Sequence, residues 1–384
     1  MRLNVRAALR SGYARLTRRR KLPEHWHRAM WATLACKTAA MGAHRERCPR
    51  GHYEEIRFNS CRHRSCPRCG RRDSEAWLER QRERLLPCDH FHVVFTLPSE
   101  LRVLWLWNRK DIADLLFAVS QDVLFTLLAD PAHLGARPGV VMALHTWGRT
   151  MVVHPHTHCL VTGGGVTPSG EWKASRNGFL LPIRVVRKLY RGRFLGRLEA
   201  LLRHSQLDLP PDLDLDGALC LLRQSARKPW NVRIESPYAH GEGLAIYLAR
   251  YLRGGPIGDS RLRGSDSESI TFAYRDFREG DGTSLMTLPI EEFTERWLQH
   301  VPLPGQRVVR SYGLYHHALN EHLERCRLQI EAVGEPRRRR DRPKARCCPQ
   351  CGADLVVVDV SWRKMWPFPP AEWLPLTRAG PLPC

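Results

Sequence analysis

A chain of 384 residues with 43% hydrophobic side chains is long enough for two or three domains with ordinary cores. Its 61 Lys and Arg against 39 Asp and Glu leave a net charge of +22, which points to a polyanionic partner, nucleic acid before any other. No stretch reaches the roughly 18 consecutive apolar residues of a membrane span and no secretory segment is evident, so a cytoplasmic location is expected, and 13 Cys in that setting read as metal ligands rather than disulfides.

Residues 22–88 are the densest in Cys and His. From Cys36 the chain reads CKTAAMGAHRERCPRGHYEEIRFNSCRHRSCPRC. Cys66 and Cys69, with two residues between them, form a knuckle that can grip one Zn²⁺. Cys48 and Cys61 complete the best single site, with Cys36, His44 and His52 as further candidates, more ligands than one ion needs. The interleaved arginines, Arg62, Arg64 and Arg68 among them, would decorate a metal-held knob suited to DNA phosphates. The charged segment RRDSEAWLERQRERLLP leads out of this region as a helix.

HFHVVFTLP, residues 90–98, reads as a strand, and residues 99–129 as a helix from the spacing of their leucines and valines. VVMALHTWG and MVVHPHTHCLVTGGG form an antiparallel hairpin turning near 148–150. A basic amphipathic helix follows over 182–203, an acidic Pro-containing loop over 208–216, a strand over 230–236, and a helix from about 243 that stops at the glycines 254–255. ITFAYRD and SLMTLPI read as a second hairpin and EEFTERWLQHV as a helix. From 334 onward Pro, Arg and Gly dominate, a composition of low order. There Cys347, Cys348 and Cys351 make half a zinc ribbon, with Cys326 or Cys384 available to complete it. This mixture predicts an α+β fold: a central, mainly antiparallel sheet flanked by helices, preceded by a small zinc-binding domain. The boundaries fall at 1–88 for the zinc-binding domain, 89–330 for a catalytic domain and 331–384 for a basic Pro-rich tail.

Two patterns carry chemistry. In HPHTHCLVTGGG, His154, His156 and His158 alternate along a strand and therefore share one face, where adjacent imidazoles can converge on a metal. Gly163 to Gly165 at the strand's exit permit positive φ, or close approach by another backbone or a ligand. In EGLAIYLARYLRGG, Tyr247 and Tyr251 stand at i and i+4 of a helix, so both hydroxyls point the same way, with Arg250 and Arg253 adjacent.

With these residues in place, the chain resembles the two-tyrosine rolling-circle transposases of bacterial insertion sequences, relatives of the Helitron transposases within the HUH endonucleases. The resemblance spans roughly residues 30–325 and is carried by ACKTAA with NSCRHRSCPRCG, HFHVVFTLPSEL, LHTWGR leading to HPHTHCLVTGGG, YLARYL followed by SRL, and RSYGLYHHALNEHL. It implies an HUH nuclease domain in which His156 and His158 hold Mg²⁺ or Mn²⁺ at the scissile phosphate of single-stranded DNA, at element ends and target site. Tyr247 and Tyr251 would be the nucleophiles, each able to leave a free 3′-OH and a 5′-phosphotyrosine. Thr157 stands where relatives carry a bulky apolar residue. CPRGH replaces a Cys-x-x-Cys, so His52 becomes the substitute ligand, and the third catalytic ligand is open between His154 and His145. Two other readings compete: an HUH relaxase or replication initiator with the same chemistry, and a non-catalytic zinc-finger protein whose histidines and tyrosines only pack.

Overall fold

The computed structural model describes residues 4–176, 178–276, 282–332 and 346–361, apart from the side chains of Arg71, Arg250, Tyr251 and Leu252. In chain order the described elements are α1 (Val5–Arg19), α2 (Glu24–Ala35), β1 (Ala43–Arg47), β2 (Glu54–Phe58), α3 (Gly70–Arg84), β3 (His90–Thr96), α4 (Arg102–Trp107), α5 (Arg109–Ala129), β4 (Arg137–Trp147), β5 (Val153–Val166) and β6 (Trp172–Ala174). They continue as α6 (Ile183–Arg203), α7 (Leu215–Arg227), β7 (Val232–Ile234), α8 (Glu242–Leu252), β8 (Leu262–Ser265), β9 (Ser269–Asp276), β10 (Gly282–Pro289), α9 (Ile290–Leu298), β11 (Val309–Gly313), α10 (Asn320–Glu331) and β12 (Val356–Ser361).

The central sheet runs β11-β4-β5-β3-β7, antiparallel at every pairing, with β6 added beside β5. Its two faces follow from the period of two along each strand. Val93, Phe95, Val140, Met142, Leu144, Cys159 and Val161 point to one side, into a core closed by α5, α6 and α7. Val141, Ala143 and Leu160 point to the other, against Leu244, Ala245 and Leu248 of α8 and Leu323 of α10. With both faces covered, β3 is buried at every residue. The helix expected over 99–129 divides at Asn108, whose side chain donates to the Leu104 carbonyl at 3.1 Å and accepts from Asp208 N at 2.7 Å. α5 is long and apolar enough to cross a membrane by length and composition, but its apolar residues belong to this core.

Packing does not follow chain order. α1 and α2 share a core with Ile257, the sheet β10-β9-β8 and α9, so the segment before Cys36 packs on one that comes more than 200 residues later. Likewise β12, from beyond residue 331, pairs antiparallel with β1 in a third sheet of order β12-β1-β2. The tail therefore contributes a strand to the Cys-rich region; its segments 333–345 and 362–384, including Cys384, lie outside the described residues.

Candidate active site and metal centres

The pairing of β4 with β5 sets His145 opposite His156 and Ala143 opposite His158, all on the α8 side of the sheet. One potential ligand nitrogen from each of His145, His156 and His158 lies within 4.8 Å of the others. His145 thus takes the third place. His154, though on the same face, stays outside the set; its ring centroid is 5.2 Å from that of His156, and its backbone carbonyl accepts a hydrogen bond from His156 Nδ1 at 2.6 Å.

The hydrogen bonds assign the tautomers. An ionised carboxylate only accepts, so His92 Nδ1 carries the proton it donates to Glu235, at 2.8 Å. His92 Nε2 is then an acceptor and takes the Nδ1 proton of His158, at 2.7 Å. With His156 Nδ1 likewise committed to the His154 carbonyl, the bare Nε2 atoms of His156 and His158 remain to bind a cation. A carboxylate–histidine support of this kind fixes ring orientation and raises ligand basicity. Sequence reasoning missed His92 and Glu235; the signal was in HFHVVFT, where His92 shares the face of His90 and Val94. Burial drives His156 down to about 4 and His145 and His158 well below the ordinary imidazole value, so all three are neutral, as metal ligands must be.

Tyr247 of α8 stands at the rim, its ring centroid 5.3 Å from His92 and 5.6 Å from His158. Tyr251 and Arg250 fall one turn and just under one turn further along the same helix, their side chains outside those described. Thr157 points the other way, into the core, with its hydroxyl 3.2 Å from Ser120 Oγ of α5, so a polar β-branched residue is satisfied there. At Gly163 to Gly165 the close approach of backbone, and not positive φ, is what the structure shows. They lie within β5, none at positive φ, and a Cβ at Gly163 would come within 2.9 Å of the Asp89 carbonyl and at Gly165 within 2.6 Å of that of Arg137. Neighbouring backbones require them.

The sulfur ligands separate into two sets. Cys36, Cys61, Cys66 and Cys69 have their sulfurs within 4.8 Å of one another, so Cys36 takes the place assigned to Cys48. Cys48 and His52 instead meet Cys348 and Cys351. His44 joins neither; its Nδ1 lies 2.8 Å from Asn59 Oδ1. Cys326 is buried among α10 side chains and the α8 face of the central sheet. Of the arginines, Arg62 is exposed, Arg68 donates to the Cys36 carbonyl at 2.6 Å, and Arg253 pairs with Asp73 of α3 at 2.9 Å, tying α8 to the helix that leaves the four-cysteine set. Arg64, Ser65, Arg109, Trp147, Arg253 and His300 line a narrow cleft. It adjoins the histidines, because Trp147 stacks on His145 with centroids 5.3 Å apart. Among the described residues Arg64 Nη1 and Arg109 Nε are buried without a hydrogen-bond partner, and burial lowers both guanidiniums to about 10.

Residues 8–97 match the family model "Transposase zinc-binding domain", and residues 139–322 the model "Putative transposase". The chain is 36% identical over 353 residues to "Putative transposase y4qJ" of Sinorhizobium fredii, covering 87% of this chain and 89% of that one. It is 32% identical over 289 residues to "Transposase for insertion sequence element IS801" of Pseudomonas savastanoi pv. phaseolicola, covering 73% and 68%. No solved structure matches the sequence.

Proposed function

The chain belongs to the family of insertion-sequence transposases that includes the one for IS801, and from that premise we propose that it nicks and rejoins single-stranded DNA at the ends of a mobile element through a 5′-phosphotyrosine intermediate. The observation that carries this reading is Tyr247 packed against His158 and His92, beside three neutral, converging imidazoles. His145, His156 and His158 would hold a divalent cation, Mg²⁺ or Mn²⁺, and an all-imidazole set favours Mn²⁺ of the two. Such a cation would polarise the scissile phosphate and stabilise charge on its oxygens.

The chain's own residues supply the rest. Tyr247 Oη attacks phosphorus and forms the Oη–P bond as the P–O3′ bond breaks; the phenolic proton is lost and the 3′ oxygen gains one, so a 3′-OH is left and the number of phosphodiester bonds is unchanged. Since one ester is exchanged for another, the 3′-OH can reverse the step and join strands. Tyr251, one helical turn on, would allow a second transfer before the first is resolved. A phenol is protonated near neutral pH and is a weak nucleophile, so positioning would have to raise its rate, and Leu244, Ala245 and Leu248 fix the helix that carries Tyr247 by seating it on the sheet. Arg64 and Arg109 present unmet donors to the neighbouring cleft and would take flanking phosphates. The zinc module would grip DNA beside it, and the protein would act in the cytoplasm, on the nucleoid.

The test is to incubate the full chain with single-stranded oligonucleotides from the two ends of its element, with Mn²⁺, Mg²⁺ or EDTA, and resolve covalent adducts by denaturing electrophoresis. A metal-dependent adduct lost in Tyr247→Phe or Tyr251→Phe is expected. An adduct unaffected by either substitution would overturn the tyrosine assignment. No adduct on any end sequence would favour the non-catalytic binding protein.

A further inference from the structure

We propose that Cys48, His52, Cys348 and Cys351 form a second structural zinc site, which clips the C-terminal segment onto the N-terminal module. Their ligand atoms lie within 4.8 Å of one another, and Cys48 Sγ is 3.5 Å from Cys351 Sγ across 303 residues of sequence. Two thiolates bound 2.3 Å from a tetrahedral Zn²⁺ stand about 3.8 Å apart, so the sulfurs already have the spacing of shared coordination.

The two halves are built alike. Cys48 N donates to the Tyr53 carbonyl at 2.8 Å, and Cys348 N to that of Ala353 at 2.7 Å. Gly51 N then donates to the Cys48 carbonyl and Gly352 N to the Cys348 carbonyl, each at 2.9 Å, with both glycines at positive φ, +76° and +70°. Each loop thus folds back at a left-handed glycine, just before its second ligand in the first loop and just after it in the other, and Arg50 N points at Cys48 Sγ from 3.4 Å, as an amide does toward a thiolate. In the first loop the second ligand is His52, one place later than the second cysteine of the other loop, which is how CPRGH serves in place of a Cys-x-x-Cys. Cys347 is no part of the set; it is exposed, with its sulfur 3.6 Å from Asp354 Oδ1.

Burial alone does not hold this segment. β12 is exposed along its whole length, as are Ile56 of β2 and Val357 of β12, so the small sheet has little apolar area with which to fix a distant strand. Besides the β1–β12 ladder and the bond from Asn59 Nδ2 to the Ser361 carbonyl at 2.9 Å, the side-chain contacts include Arg346 with Glu46 and with Glu55 at 3.1 Å, ion pairs of modest worth near the surface. A metal closing a loop of this length removes much of the unfolded chain's freedom. The zinc-binding module is on this reading made from both ends of the chain, and the four-cysteine site is a separate centre with no shared ligand.

Cobalt substitution reads this directly, because sulfur-to-cobalt absorption counts thiolate-bound ions and is blind to the histidine site. The full-length chain should take up two such equivalents, Cys348→Ser/Cys351→Ser one, and Cys347→Ser two. A single thiolate-bound equivalent in the unaltered chain would overturn the proposal, as would two in the double variant. If the double variant does not fold, the unaltered chain still decides by its own count. A second measurement places a specific protease site between residues 332 and 346. After cleavage the C-terminal piece should co-elute with the rest when zinc is present and separate on chelation; separation despite zinc, or retention after chelation, would refute the clip.

Discussion

The histidine set and the sulfur sets bring candidate metal ligands together by opposite routes. His145, His156 and His158 converge because a register that the sheet needs for other reasons sets them side by side, on strands buried from both faces. Cys36, at the end of α2, must instead reach Cys61, Cys66 and Cys69 from the other side of the β1–β2 pair, and Cys48 must meet Cys351 from 303 residues along the chain. The difference teaches what each metal would do: a scaffold that exists without its ion can spend that ion on chemistry, whereas loops without a core need theirs to exist as structure.

The sharpest way to break that contrast is to remove one ligand from each kind of site. His158→Ala should lower metal-dependent adduct formation by about 10³-fold, the loss of roughly 4 kcal/mol of transition-state stabilisation, with near-UV circular dichroism close to that of the unaltered chain. Cys66→Ser should do the reverse. Losing a structural zinc should drop the melting temperature by about 10 °C, while the adduct yield per folded molecule falls far less than in His158→Ala. If His158→Ala unfolds the chain and Cys66→Ser leaves its melting unchanged, the roles have been assigned the wrong way round.

Acid should expose the cost of a preformed imidazole set. Burial pushes His156 down to about 4, and His300, which lies 2.9 Å from the Met151 carbonyl, down to about 4 as well. A histidine depressed in the folded state binds its proton more readily in the unfolded chain. The folded state therefore has its full advantage above the unfolded value near 6.5 and loses it as pH falls toward 4. For each group this amounts to roughly 3 to 4 kcal/mol at most. Denaturant midpoints of metal-free protein should fall across that window and stay level above pH 7; a flat profile from 7 to 4 would contradict the burial of these rings.

A smaller effect separates the ligands from their support. His92→Ala or Glu235→Gln should weaken the activating metal about 10- to 100-fold, with adduct formation largely recovered at saturating Mn²⁺, which removal of His158 would not allow. An unchanged metal midpoint in both variants would reduce the Glu235–His92–His158 chain to packing.

What could be read from sequence follows the same division. Alternation places side chains on a face without knowledge of partners, so the shared face of the β5 histidines and the β4–β5 hairpin were legible, as were the helix that carries Tyr247 and the α+β character. Register between strands is a tertiary fact, and it alone brings His145 opposite His156 and His92 within reach of His158. At glycines 163–165 close backbone approach and positive φ both stayed open, because they leave the same residue in sequence, and only the structure selects the first. Cys spacing identified a zinc module but grouped Cys48 with Cys61, whereas the structure sets Cys48 beside His52, Cys348 and Cys351, two of them beyond residue 345. The split at Asn108 depends on Asp208, again a partner that no local pattern shows.

The arginine cleft offers the finest distinction, because it lies where the two kinds of region meet. Arg64 comes from the cysteine-rich segment and Arg109 from the start of α5, under the sheet's other core, yet both line one cleft with Trp147. Arg109 is held by the Gln299 and Val301 carbonyls, at 2.8 and 3.0 Å, so its orientation does not depend on zinc. Arg64 is positioned by a segment that does, its carbonyl accepting from Gly254 N at 2.9 Å next to the four-cysteine set. If both contact phosphate, Arg109→Gln and Arg64→Gln should each weaken single-stranded DNA binding a few-fold without sequence preference and reduce the slope of log affinity against log salt by about one. Stripping zinc should then reproduce the Arg64→Gln loss at this cleft and leave the Arg109 contribution in place. Equal losses from both substitutions in zinc-free protein would show that the cleft forms independently of the cysteine module, and the division between the two regions would not extend to the DNA path.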